Sequence, residues 1–243
     1  MQKFFVNSVQ IHENRAKIMG EDVNHIKNVL RMKLEDEILL GNKNTGESFL
    51  GKIKQIQNNC VIVQILNSIK SSEPLTYIHV FQGLPKADKM EQIIQKGTEI
   101  GVSEFTPLQL ERCILRLDKK DENKKIDRWQ KIAEVAAKQC KRDKIPKINF
   151  VHNLKNIYEK IKEYDIVLVA YEDEKQHSLK EYLKKQQLKK IAIIIGPEGG
   201  ISKNEVEELK EHGALTVTLG KQILRTETAS IVMASNILYE LED

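Results

Sequence analysis

The sequence predicts an α/β protein with a largely parallel sheet, preceded by a small β-rich module. Three observations carry this reading. The runs Asp165–Ala170, Ile191–Ile195 and Leu215–Leu219 are short and almost wholly apolar, as strands buried on both faces are, and helical segments at Ser178–Gln187 and Lys203–His212 separate them. Two of these runs pass straight into glycine turns followed by helix-start signals. The first part of the chain differs in texture, with short strand-like stretches joined by turn residues. A chain of 243 residues with 40% hydrophobic content can build a core domain and a smaller module.

In chain order, strands are expected at Lys3–Val9, Glu37–Leu40, Phe49–Gln55 and Val61–Leu66. The turn-rich segment from Gly41 to Gly46 and the pair Asn58-Asn59 join them, with one helical stretch from Asp22 to Met32. Together they read as a β-barrel-like module over residues 1–70. Ser71-Ser72-Glu73-Pro74 is a polar turn ending in proline, beyond which strands and helices alternate, so a second domain is expected over residues 75–243. It begins with a strand at Tyr77–Gly83, a helix at Lys89–Ile100 with Gly101 past its end, and a strand at Glu104–Leu108. Asp127 is expected to cap a helix running to about Arg142, which Ile145-Pro146 ends. The last helix, Thr228–Leu241, carries Ile231, Ala234, Ser235, Leu238 and Leu241 on one face, a stripe suited to the core or to an interface.

The chemistry concentrates in the glycine turns. Gly196-Pro197-Glu198-Gly199-Gly200 follows an apolar strand and leads into Ser202-Lys203-Asn204-Glu205, a capping box. Leu219-Gly220-Lys221-Gln222-Ile223-Leu224-Arg225-Thr226-Glu227-Thr228-Ala229 repeats the arrangement, and Tyr171-Glu172 follows the third apolar run. Ligands of open α/β sheets bind outside the carboxyl ends of the strands, where all three loops fall; alternatively, each glycine only caps a strand or starts a helix. The turns match neither G-x-x-x-x-G-K-S/T nor G-x-G-x-x-G, and Glu198 would repel phosphate, so the expected ligand is neutral or cationic. Neither a G-x-S-x-G elbow nor an H-E-x-x-H motif occurs. Glu198 and Glu227 can form an acid and base pair, or Glu227 can cap the helix start.

Charge carries weaker information. The net charge of +4 and pI near 8.7 are mildly basic, and a solvated lysine-rich surface explains them as well as an RNA partner does. On the helix from Asp127, Trp129, Ile132, Ala136 and Cys140 form an apolar face, while Arg128, Lys131, Lys138 and Arg142 gather on another side. With Arg112 and Arg116 they make a candidate anion-binding surface. Cys60, Cys113 and Cys140 are widely spaced and lack histidines at ligand spacing, which argues against a disulfide framework and a zinc site; no metal is expected. The polar residues soon after Met1 and the lack of a long apolar run point to a cytoplasmic protein with no membrane partner.

These residues resemble the RsmE family of 16S ribosomal RNA uridine-N3 methyltransferases, in the SPOUT superfamily. The likeness spans nearly the whole chain. It rests on His25–Arg31, Ile94–Gly101, Glu111-Arg112-Cys113, Arg128-Trp129 with Ala136–Gln139, Gly196–Gly200 and Leu219–Ala229, the last two being the most specific. Gly97 stands where the family has alanine, Cys113 where it has serine and Gln222 where a basic residue is frequent, so no catalytic role is carried onto these three.

The resemblance implies a trefoil-knotted SPOUT domain with a mostly parallel sheet, preceded by a small PUA-like β-barrel that binds RNA. It implies S-adenosylmethionine as cofactor, held by Val169, Ala170, Tyr171, Ile195, Gly196, Gly199, Gly200, Leu219, Gly220, Ile223 and Leu224. It implies a homodimer, which moves the last helix toward an interface, and 16S rRNA or the small ribosomal subunit as partner. Arg31, Arg116, Arg128, Lys138 and Arg142 are then the expected RNA contacts. For catalysis, Arg112 and Arg225 would stabilise a uracil anion or a neighbouring phosphate, with Glu198 or Glu227 orienting them or taking the N3 proton. Three alternatives stay open: an RNA-binding protein without catalysis, methylation of a different rRNA or tRNA nucleotide, and a nucleotide-dependent enzyme on an ordinary doubly wound sheet.

Overall fold

The computed structural model describes residues 1–184 and 188–242, and these divide into two compact units. The first comprises Met1–Glu73 with Ala137–Ile145; the second comprises Pro74–Ala136 and the chain from Pro146 onward.

In the first unit, strands β1 (Lys3–Val6), β2 (Ile11–His12), β3 (Arg15–Met19), β4 (Glu37–Asn42), β5 (Ser48–Ile56) and β6 (Cys60–Ile69) form one sheet in the order β1-β4-β5-β6-β3-β2. All neighbours are antiparallel except β1 and β4. One face, with Phe4, Val6, Ala16, Ile18, Ile38, Leu40, Ile53, Val61 and Val63, closes on Val23 and Ile26 to make the core. Alternation is clearest in β3, where Ala16 and Ile18 are buried between exposed Arg15, Lys17 and Met19. That strand was absent from the sequence expectation because its basic residues mask its two buried positions. β1 stops at Val6 and not Val9: Gln10 accepts a hydrogen bond from the Asn7 N–H, closing a short turn that leaves Val9 exposed.

The helix expected over Asp22–Met32 is instead α1 (Glu21–Asn24) followed by one wide π turn, His25–Val29, in which Leu30 N–H donates to His25 O at 2.9 Å. Arg31, at φ 52°, turns the chain before the helix can continue.

A buried ionic network ties residues 137–145 into this unit. Lys3 Nζ lies 2.5 Å from Asp143 Oδ1 and donates to Ser48 Oγ at 2.8 Å. Asp143 Oδ2 accepts from Ser71 Oγ at 3.0 Å and from the Ser72 N–H at 2.9 Å. Beside it, Arg142 pairs with Glu73 at 2.6 Å.

In the second unit, strands β7 (Tyr77–Gly83), β8 (Glu104–Leu108), β9 (Lys147–Ile148), β10 (Ile166–Ala170), β11 (Lys190–Ile195) and β12 (Leu215–Val217) form an all-parallel sheet in the order β12-β10-β11-β7-β8-β9. Its central strands are apolar on both faces: Leu168, Val169, Ile191, Ile193 and Ile194 are fully buried. Helices α2 (Lys89–Ile100), α3 (Lys119–Cys140), α4 (Lys155–Ile161), α5 (Leu179–Leu183), α6 (Lys203–Glu211) and α7 (Thr226–Leu241) complete the chain's helices among the described residues. α3 begins at Lys119, not Asp127, because Asp118 accepts a hydrogen bond from the Asp121 N–H and acids occupy the first turn. α4 was not expected; Asn153 and Asn156 cap it reciprocally, and Ile157 and Ile161 bury one face. The last three residues of the helix expected over Ser178–Gln187 lie outside the described residues. In α7 the buried face is Ala229, Met233, Ala234, Ile237 and Leu238, whereas Ser235 of the expected stripe is exposed.

The amino end of the sheet holds a polar network. His79 is buried, with Nδ1 2.5 Å from Tyr164 Oη and Nε2 2.7 Å from Thr106 Oγ1, and stacks on Phe81. Burial pushes its imidazole down to about 4, against the opposing pull of Glu104. Below the unfolded value of about 6.5 the unfolded chain binds a proton that the folded chain refuses until about 4. Stability from this group is therefore full above about pH 6.5 and falls by about 3 kcal/mol as pH drops to about 4. His79→Gln should remove most of the pH slope of the urea midpoint across that window; a slope equal to wild type would contradict it.

Candidate functional site

The sheet register sets the site. Ala170 pairs with both Ile195 and Val217, and Ile195 pairs with Gln82, so the carboxyl ends of β12, β10, β11 and β7 lie level. Their loops, with the start of α7, enclose a cavity of about 380 Å³, within the range of small-molecule sites. Of the residues expected at the cofactor, Ala170, Tyr171, Ile195, Gly196, Gly200, Leu219, Gly220, Ile223 and Leu224 line it. Val169 lies beneath, fully buried, and Gly199 turns its carbonyl to Arg112 Nη1 at 2.9 Å.

The glycine turn is sterically required. A Cβ on Gly196 would sit 2.9 Å from Gly200 C and from Ile201 Cγ1, and Gly200 has φ 72°. Ser202 and Glu205 then form the expected capping box that starts α6. Beneath the turn, Thr226 Oγ1 donates to Gly196 O at 2.6 Å and accepts from Gln82 Nε2 at 2.9 Å. Both side chains are buried, so this pair fastens the Gly196 turn to the start of α7. Sequence reading missed Gln82 and Thr226, since only the strand order places β7 next to β11.

The charged rim differs from expectation. Glu198 and Glu227 do come together, but on Lys89 and not on an arginine: Lys89 Nζ lies 2.9 Å from Glu198 Oε1 and 3.3 Å from Glu227 Oε2. Glu198 also accepts from the Lys86 N–H at 3.1 Å. Burial alone would raise the Glu198 carboxyl, yet the Lys89 ammonium and backbone donors outweigh it and hold the group below its ordinary range. The same contacts, with Glu198 first, raise Lys89 above the usual lysine value. Glu227 Oε2 is buried without a well-aligned donor, so its contact with Lys89 is ionic. Glu227 sits inside the first turn of α7, with Arg225 at the cap position. Arg225 lines the cavity and is exposed.

The expected RNA contacts are not one group. Arg31 belongs to the first unit and Arg116 to the second, both exposed. Arg128 is exposed and pairs with Glu91 at 2.8 Å. Lys138 Nζ is 2.9 Å from both oxygens of Asp22. Arg142 is the correction: it is 8% exposed and held by Glu73, so its guanidinium serves the first unit's interior and not RNA. Cys113 is buried, and burial pushes its thiol up, an inert setting.

The lining combines apolar walls at Ile195, Ile201, Leu219 and Leu224 with backbone groups from three loops and carboxylates at Glu172 and Glu198. Such a site accepts a flat heterocycle between apolar walls and reads its edge with main-chain donors and acceptors, with Lys89, Lys221 and Arg225 balancing the two carboxylates. S-adenosylmethionine, with an adenine ring and a sulfonium, fits that donor set.

Comparison with known proteins agrees. Residues 71–238 match the model of an RNA methyltransferase domain, and residues 18–66 match an RNA methyltransferase PUA domain. The chain is 37% identical to Ribosomal RNA small subunit methyltransferase E of Bacillus subtilis, over all of this chain and 98% of that protein. The chain belongs to the RsmE family. The RsmE enzyme of Neisseria gonorrhoeae, solved bound to S-adenosylmethionine, is similar with a TM-score of 0.86 at 25% identity, over 98% of this chain and 97% of that one. A Legionella pneumophila methyltransferase solved with the same cofactor gives 0.85 at 29%, over 98% and 96%. As an RsmE chain, the protein has an α/β domain with a parallel sheet behind a PUA domain whose curled sheet is an open half-barrel. No helix among the described residues is long and apolar enough to cross a membrane.

Proposed function

We propose that this chain transfers a methyl group from S-adenosylmethionine to N3 of a uridine in 16S rRNA, acting as a cytoplasmic homodimer whose cofactor loops form a knotted clasp. The observation that carries it is the convergence of three strand-end loops, two of them glycine turns, on one cavity with apolar walls and a charged rim. Similarity to methyltransferases solved with S-adenosylmethionine, one of them an RsmE enzyme, supports the cofactor, and the PUA domain supports an RNA partner.

When bound, S-adenosylmethionine supplies an electrophilic methyl carbon. The chain's own residues supply the rest. Ala170, Gly196, Gly200, Leu219 and Gly220 would hold the cofactor, chiefly through main-chain groups, while Ile195 and Leu224 exclude water from the reacting atoms. Val169, packed beneath in β10, and Gly199, tied to Arg112, keep those groups in place. Tyr171 and the exposed Ile223 complete the lining. In-line displacement requires N3 about 3–3.5 Å from the methyl carbon, so positioning provides much of the acceleration. N3 lies on the pairing edge of uracil, and the base must be unpaired or flipped to enter.

Arg31 and Arg116 provide exposed guanidinium groups for backbone phosphates, with Arg128 and Lys138 able to exchange their present acid partners for RNA. Arg112 braces the Gly199 carbonyl while offering further N–H donors, and Arg225 stands at the cavity itself. Arg112→Ala and Arg225→Ala should each lower turnover at saturating cofactor by about tenfold. Wild-type turnover in both variants would remove arginine from the mechanism.

A further inference from the structure

We propose that Lys89 is a catalytic residue: its ammonium donates to a uracil carbonyl oxygen and stabilises the N3 anion, while Glu198 and Glu227 hold the lysine in place and do not accept the N3 proton. This rests on the methyl-transfer reading of the same cavity.

Geometry carries the assignment. Lys89 lines the cavity from the first turn of α2, and two carboxylates from separate elements, the loop after β11 and the first turn of α7, converge on its Nζ. An ammonium has three hydrogens; Glu198 lies at hydrogen-bond distance and Glu227 in ionic contact, which leaves donor capacity for a ligand in the cavity that Lys89 lines. A long lysine side chain normally loses considerable rotamer freedom when it binds. Here the two acids have already fixed it, so a donor at this point is preorganised.

Charge balance points the same way. Within this cluster two carboxylates face one ammonium, a local balance that opposes a uracil anion, while the other cations of the lining, Lys221 and Arg225, are exposed. Lys89, between both acids, is the group that lets the anion form there. The acids themselves are poor bases for this proton. Glu198 is engaged by Lys89 and by the Lys86 N–H, and an ionised carboxylate held by two donors has little proton affinity left. Uridine N3–H is a much weaker acid than a carboxylic acid, so transfer to Glu198 or Glu227 would be steeply uphill.

The step then balances without an enzymic base. The N3 proton is taken by solvent hydroxide in an equilibrium that precedes methyl transfer, giving water, and the negative charge spreads onto the carbonyl oxygens facing Lys89. The N3 lone pair forms the bond to the methyl carbon as the carbon–sulfur bond breaks, its electron pair remaining on sulfur. Methylated RNA and neutral thioether are the products.

The test compares wild type, Lys89→Met, Lys89→Arg and the double variant Lys89→Met/Glu227→Gln, which removes one of the two charges that the single change would strand and so keeps the net charge of the cluster. Turnover on unmethylated small ribosomal subunits is measured against pH, and S-adenosylmethionine affinity is measured by calorimetry on each protein. Wild-type turnover should rise about tenfold per pH unit through neutrality, as ionisation of N3 requires and as a carboxylate base would not. Both methionine variants should keep cofactor affinity within about twofold and lose about a hundredfold in kcat at neutral pH, with the rising limb displaced upward by about two pH units. Lys89→Arg should recover part of the loss. Wild-type kcat in Lys89→Met, a flat wild-type profile, or a loss explained by weaker cofactor binding would each overturn the role of Lys89 while leaving methyl transfer standing. Absence of transfer by the wild-type protein would instead overturn the methyl-transfer reading, and this role with it.

Discussion

Lys3→Met should lower the stability of the first unit by about 3–5 kcal/mol, because it removes one partner of a buried ion pair and strands the other. Lys3 is 3% exposed and Asp143 4% exposed. The pair is sustained by hydrogen bonds from Ser48, Ser71 and the Ser72 N–H. Burial works against the Asp143 carboxylate, but Lys3, Ser48 and the backbone together hold it below its ordinary value. A depressed carboxylate contributes stability that is present above its unfolded value and is lost as pH falls through the folded one, so acid should mimic the substitution. Replacing both partners with apolar residues, as in Lys3→Met/Asp143→Leu, should recover most of the loss. Urea unfolding with hydrogen exchange at the β1 and β4 amides measures this. A single variant within about 1 kcal/mol of wild type would mean that the pair is solvated in solution.

Gly83→Ala should weaken S-adenosylmethionine binding by up to about a hundredfold, although Gly83 does not line the cavity. Its added Cβ would meet Pro197 Cδ at 2.6 Å and Pro197 N at 2.7 Å. The second atom is backbone, so relief requires moving the Gly196–Gly200 turn itself. Overpacking of this kind costs about 1–3 kcal/mol, and here it falls on the loop that shapes the site. Gly213→Ala is the control for a glycine substitution without a steric clash: its Cβ would meet nothing within 4 Å, and its φ of 100° adds a backbone strain that Gly83 does not carry. Calorimetric titration distinguishes the outcomes: equal affinity in the Gly83 variant and wild type would show that the turn does not set the site.

The parts of the site written in local pattern were legible. Three apolar runs, two glycine turns and the Ser202–Glu205 capping box are properties of contiguous residues, and they sufficed to bring three loops to one sheet edge. Contributions that depend on strand order were not. Lys89 and Gln82 join the site because β7 lies beside β11, a fact no spacing in the sequence reveals. Glu198 and Glu227, expected as an acid and base pair or as partners of an arginine, are instead brought together on Lys89.

Residues 137–145 show the converse difficulty. The amphipathic pattern of α3 put Arg142 on a basic face, but the helix ends at Cys140 and the residues beyond it fold into the first unit. Arg142 and Asp143 answer to Glu73 and Lys3, far away in sequence. Exposure cannot be read from helical periodicity once the helix has stopped.

The most direct test of a cofactor-clasping methyltransferase is transfer itself. The purified chain is incubated with methyl-labelled S-adenosylmethionine and small ribosomal subunits lacking the modification, and the labelled nucleotide is mapped. The expected result is label in 16S rRNA alone, at N3 of a single uridine. Absence of transfer to RNA, or label on a base other than uridine, would contradict it.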